Sequence, residues 1–116
     1  VYNFKVIDAT KQKLNEKFDN ILICGLLHHL DDEQATNVLN LASSSLKSGG
    51  RMLILEDIPS LPRFNPIGKI VKRFDIGKHI RVHEVYGKIY QSKFKIINSY
   101  FLSSGIADYS VYLLEK

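Results

Sequence analysis

A chain of 116 residues, 45% hydrophobic and 24% charged, has the size and composition of one soluble globular domain. No apolar stretch approaches the roughly 20 residues that cross a bilayer. The single cysteine, Cys24, excludes an internal disulfide and any multi-cysteine metal cluster and favours a reducing, cytoplasmic setting, while a formal charge of +4 permits an anionic partner without requiring one.

Residues 1–7 read as a short strand that Asp8 ends. Because the chain opens on Val1 rather than methionine and enters this strand at once, we expect a truncated amino terminus. Residues 11–17 are polar with Leu14 as their one apolar anchor, which makes them a loop, and Asp19 and Asn20 act as a breaker. Residues 21–24 form a continuous apolar run, the pattern of a strand covered on both faces, and Gly25 closes it. In that setting Cys24 is expected to be a small buried apolar residue.

Asp31, Asp32 and Glu33 stand where a helix begins, since carboxylates satisfy unpaired backbone N–H groups and suit the positive pole. Ala35, Val38, Leu39, Ala42 and Leu46 recur at helical spacing. Lys47 would furnish a basic last turn, and the pair Gly49 and Gly50 a left-handed stop. A second apolar run over residues 52–55 ends at Glu56 and Asp57. Residues 21–55 therefore predict strand, helix, strand, with parallel strands and a right-handed crossover. Ligands gather beyond the carboxyl ends of such strands, here at Asp8, at residues 24–29, and at Glu56 and Asp57.

Between Ile58 and Arg81 fall all three prolines and six basic residues, with Asp75 the only acid. We read residues 58–83 as a basic, substrate-side insertion over the sheet's carboxyl edge. Within it Asn65 caps and Pro66 opens an amphipathic helix, with Ile67, Ile70, Val71 and Phe74 opposite Lys69, Lys72 and Arg73. A further helix is expected over residues 84–92, then strands over 94–102 and 109–114, joined by the polar "SSGIAD" as an antiparallel pair.

His28 and His29 are adjacent, so their rings do not converge on a metal as an i, i+4 pair would, and no metal site is expected. Imidazoles suit proton removal from a hydroxyl or amine, so one of the pair is a candidate base or substrate contact; the alternative is a structural turn histidine. Glu56 and Asp57 either orient a substrate or are solvated turn residues. The basic helix face is more simply solvated than bound to an anion or a membrane surface. Nucleic-acid binding has little support, since the charge excess is small and no recognition module is present. Tyr86, Tyr90 and Tyr100 fit the core or its margin.

"FDNILICGLLHHLDDE" and "LASSSLKSGGRMLILED", followed by the closing hairpin, resemble class I S-adenosylmethionine-dependent methyltransferases, and "FDIGKHIRVHEVY" resembles a stretch of some members. The resemblance implies an α/β, Rossmann-like sheet, mostly parallel with a C-terminal antiparallel hairpin and lacking the first two strands of the family fold together with the glycine-rich turn that lets a backbone approach the cofactor. Five strands of seven would remain, in a single domain over residues 1–116. Because the absent strands would lie beside residues 1–7, either an upstream portion is missing or the amino terminus is displaced or disordered.

By the same resemblance Asp8 would accept the adenine amino group and Ala9 offer its N–H to the ring. Carbonyls of Cys24 and Gly25 would meet the methionine part, and Leu26 to His29 would line the pocket beside the methyl group, with His28 or His29 in the catalytic role. The implied function is transfer of a methyl group from S-adenosyl-L-methionine to an oxygen or nitrogen of a small molecule. The rival is a non-catalytic interaction domain that binds a partner, or a second copy, through an unpaired sheet edge.

Overall fold

The computed structural model describes residues 2–59, 66–67 and 79–116. Among them the chain forms strand β1 (Phe18–Cys24), a 3-10 turn (Leu27–His29), helix α1 (Asp32–Ser45), strand β2 (Leu46–Asp57), helix α2 (His83–Gln91) and strands β3 (Lys95–Ser103) and β4 (Asp108–Glu115). The sheet runs in the order β1-β2-β4-β3. β1 and β2 are parallel, with Ile23 beside Ile54, and β4 is antiparallel to both of its neighbours. The strand-helix-strand unit and the closing hairpin are thus as expected.

α1 begins at a reciprocal cap. Asp31 Oδ1 accepts the Gln34 N–H at 2.8 Å and Gln34 Oε1 accepts the Asp31 N–H at 3.3 Å, so two orphan donors are satisfied together. Ala35, Val38, Leu39 and Ala42 are buried along one stripe. The helix does not stop at the glycines. Leu46 is already extended, and lysines serve the last carbonyls: Lys116 Nζ donates to Ser43 O and Leu46 O, and Lys17 Nζ to Ser44 O. Gly49 and Gly50 instead lie inside β2, where the register slips: Phe18 pairs with Leu46, but Asn20 pairs with Arg51. The extra residues of β2 bulge there, with Gly49 at φ +73°, a backbone conformation that a side chain would strain.

One face of the sheet carries the core. Ile23, Met52, Ile54, Tyr112 and Leu114 pack with Leu39 and Ala42 of α1 and with Tyr86 and Tyr90 of α2 in one buried cluster. The other face departs from expectation. Leu22 is 67% exposed, and Leu53 and Tyr100 are also open to solvent, so the 21–24 run is covered on one side only. Cys24 shares the exposed side of β1, which corrects its expected burial. Tyr86 and Tyr90 are core residues; Tyr100 is not.

The expected first strand is not formed: residues 2–7 are neither helix nor strand, Phe4 and Val6 are exposed, and among the described residues the sheet has four strands rather than the five expected. β1 is the outermost strand of the described sheet, and residues 2–7 do not pair with its open edge. Of the helix expected over residues 65–74, Pro66 and Ile67 are helical; the rest lies outside the described residues, as does most of the basic insertion.

Candidate functional site

The carboxyl ends of β1 and β2 meet at one compact turn. Gly25, at φ +62°, donates its N–H to Leu55 O at 2.9 Å, which extends the parallel ladder by one bond before the chain bends away. Leu27 and His28 follow, both buried. Glu56, 1% exposed, supplies the carboxylate that this bend is built around. Its Oε1 accepts the N–H groups of Leu26 (3.0 Å) and Leu27 (2.8 Å), and its Oε2 accepts that of His28 (3.3 Å) and lies 2.8 Å from His28 Nδ1. A carboxylate removed from water is costly unless its lone pairs are met, and here donors converge on both oxygens.

The far end of the turn is held by Arg81, whose side chain is only 9% exposed. Nη1 donates to Leu27 O (3.0 Å) and His79 O (3.1 Å), and Nη2 to Leu30 O (2.9 Å) and Asp32 Oδ1 (2.7 Å). The His79 N–H donates to His28 O at 2.9 Å. A negative group therefore sits on the turn's amide end and a positive group on its carbonyl end, matching the local dipoles. Tyr86 stands beneath. Burial, then the Glu56 charge, pushes its phenol up to about 12, so it remains a donor, directed at Asp57 O at 3.4 Å.

Among the sequence candidates, the structure brings together Gly25, Leu26, His28 and Glu56. His28 is 5% exposed and its Nε2 lies 3.9 Å from Asp57 Oδ2. The His29 ring is exposed and leans on that of His28, with centroids 4.0 Å apart. Glu56 is not the solvated turn residue of one of its two readings: it is buried, and the turn takes up both of its oxygens. Arg81 was not singled out in the sequence, although it lies within the quoted "FDIGKHIRVHEVY". A near-buried arginine cannot be told from a solvated one by spacing alone.

Asp8 turns back on its own loop, accepting from the Thr10 N–H (3.0 Å) and Thr10 Oγ1 (2.6 Å). Those two bonds, with Lys11 nearby, hold its carboxyl below the usual range. Ala9 is half-buried against the core and lines a cavity of about 660 Å³ between residues 9–17 and α1, which Cys24, Gly25 and Leu26 do not line. The Asp8–Ala9 end of the expected cofactor site is thus not joined to the Cys24–Leu26 end in that cavity. Among the described residues no group of three or more His, Cys, Asp or Glu side chains could hold a metal ion, and no helix is long and apolar enough to cross a membrane.

No family model and no curated protein matches the chain. Solved structures do. The N-methyltransferase NodS from Bradyrhizobium japonicum WM9, in complex with S-adenosyl-L-homocysteine, superposes with a TM-score of 0.69 at 16% identity, over 95% of this chain and 52% of NodS. Human N-acetylserotonin methyltransferase in complex with S-adenosylmethionine gives a TM-score of 0.69 at 22% identity, over 98% of this chain and 33% of the human enzyme. Magnesium protoporphyrin IX methyltransferase from Synechocystis PCC 6803 gives 0.67 at 17%, over 95% and 49%. The chain therefore has the fold of the carboxyl-terminal part of class I S-adenosylmethionine-dependent methyltransferases, and it spans about half the length of NodS or less of the others.

Proposed function

We propose that this chain supplies the substrate-side half of a centre that transfers a methyl group from S-adenosyl-L-methionine to an oxygen or nitrogen of a small molecule, completed by upstream residues. The observation that carries the reading is the turn fixed at the joint carboxyl ends of two parallel strands, within a fold shared with methyltransferases solved with S-adenosylmethionine or S-adenosyl-L-homocysteine. The donor chemistry of the turn fits that group. Glu56 occupies the Leu26, Leu27 and His28 amides, so the turn is a poor anion cradle, and the nearby, partly exposed Asp57 carboxylate suits a positively charged sulfonium or amine. Cys24, Gly25 and Leu26 would hold the methionine part and Asp8 and Ala9 the adenine.

When bound, S-adenosylmethionine supplies a carbon already activated toward in-line displacement, so the protein's share is alignment and proton removal. His29, the exposed ring, takes the acceptor's proton, and His28, tied to Glu56, fixes the backbone that presents it. His28 and His29 thus divide the catalytic role, one positioning and one reacting. A single domain acting in the cytoplasm is the accompanying reading.

Calorimetric titration of the 116-residue chain with S-adenosylmethionine tests the proposal: micromolar binding, lost on Gly25→Val, supports it. A chain with native helix content and no heat of binding turns the balance to the second reading, an interaction domain. That alternative is favoured by one observation: β1 is an edge strand with Leu22 exposed, open to pairing with a second copy.

A further inference from the structure

The cavity against α1 lies apart from the strand-end turn and is built on the wrong side of the helix for a core. Asn37, Asn40, Leu41 and Ser44 follow one another at helical spacing on the face opposite Ala35, Val38, Leu39 and Ala42. A surface helix ordinarily leaves that face to water. Here residues 9–17 run along it and flank an open groove of about 660 Å³, within the range of small-molecule sites.

The lining is of one sign. Its charged residues are Lys11, Lys13 and Lys17, and no carboxylate lines it. Lys17 is committed to the Ser44 carbonyl, which pins the strap to the last turn of α1. Lys11 lies 3.6 Å from Asp8, whose depressed carboxyl stays ionised, so part of its field is neutralised. Lys13 has no acidic partner among the described residues and faces a groove to which Asn37 and Asn40 add amide donors. Ala9, Leu14 and Leu41 give the same groove an apolar portion. A concave surface with low-dielectric walls and a single sign of charge concentrates counter-ions.

We propose that this groove binds a small molecule bearing a multiply charged anionic head on an apolar body, of the aryl or alkyl phosphate class. Lys13 and Lys17 attract the head, Asn37 and Asn40 fix its oxygens, and the body lies against Leu14 and Leu41. The groove shares Ala9 with the methyl-transfer reading, but Lys13, Asn37 and Asn40, on which the proposal rests, have no part in that reading, so either can fail without the other.

The test is a ¹H–¹⁵N NMR titration of the full chain with phenyl phosphate at constant ionic strength. The expected result is saturable shifts confined to residues 10–15, 37, 40 and 44, with affinity about tenfold weaker in Lys13→Gln. Asn40→Trp, which fills the groove without changing its charge, is expected to abolish them while the thermal midpoint is retained. Uncharged benzyl alcohol is expected to give no saturable shift. Shifts that fail to saturate, that spread over surface lysines generally, or that persist undiminished in Asn40→Trp overturn the proposal.

Discussion

Glu56 Oε2 lies 2.8 Å from His28 Nδ1, and the same carboxylate takes the backbone N–H groups of Leu26, Leu27 and His28. The imidazole and the amide end of the bend that carries it are therefore organised by a single side chain from the neighbouring strand. Removing it would leave buried donors facing nothing. Glu56→Ala is expected to cost about 3–5 kcal/mol in urea denaturation, and Glu56→Gln less, because one carbonyl oxygen still accepts. His29→Ala, at an exposed ring, should leave stability within about 0.5 kcal/mol. A Glu56→Ala protein as stable as the parent would refute the role assigned to the carboxylate.

Arg81 and Asp32 form an ion pair whose two members are unequal: Arg81 is nearly buried, while the Asp32 side chain is 89% exposed. Most of the value of Arg81 should then come from the carbonyls of Leu27, Leu30 and His79. Arg81→Lys keeps the charge but loses the planar fork, and is expected to cost about 2 kcal/mol. Asp32→Asn should cost under about 1 kcal/mol. Hydrogen exchange localises the effect: amides of residues 27–30 are expected to exchange faster in Arg81→Lys than in Asp32→Asn, and equal rates would count against the clamp.

The contrast between these two groups shows what the sequence made legible. α1 was readable at its start, because Asp31 and a four-residue apolar repeat are local signals. Its end was not, since the stopping groups are Lys17 and Lys116, distant in sequence, while the nearby Gly49 and Gly50 answer to a bulge in β2. The turn's position at the strand ends was expected from the crossover pattern. The burial of Glu56 and Arg81 was not, for a charge is internal only when partners from other segments converge on it, and here those partners come from residues 26–32 and 79. Cys24 reads as core in an apolar run, yet the exposed face of an edge strand carries equally apolar residues.

His83 provides a pH test. Its ring stacks on Tyr112 and leans on Phe101, both with centroids at 4.5 Å, and Nδ1 lies 2.8 Å from Ser110 Oγ. Desolvation holds its pKa below the ordinary 6.5, with the nearby Glu84 partly opposing the shift. The folded protein thus binds this proton less readily than the unfolded chain. Its contribution is fully present above pH 6.5 and is lost as pH falls through that value toward the folded pKa. Denaturant midpoints measured from about pH 7.5 down to about pH 5 are expected to fall less steeply in His83→Phe than in the parent. A parent and variant with parallel slopes would show that His83 titrates alike in both states.

Gly87 joins α2 to β4 by close approach. A Cβ at this position would stand 2.6 Å from Tyr112 Oη and 3.2 Å from its Cζ. Helix propensity alone favours Gly87→Ala by up to about 1 kcal/mol, but the methyl must displace a phenol that donates to His83 O at 2.9 Å. Overpacking of this kind costs about 1–3 kcal/mol, so Gly87→Ala is expected to destabilise on balance. Tyr112→Phe by itself should cost about 1 kcal/mol for the lost hydrogen bond. In the Tyr112→Phe background the oxygen at 2.6 Å is gone and only the ring carbon at 3.2 Å remains close, so Gly87→Ala should cost much less there. A double-mutant cycle over the two positions is therefore expected to show favourable coupling of more than about 1 kcal/mol. Additive effects would mean that α2 and β4 can separate to admit the methyl, and that the phenol does not set their spacing.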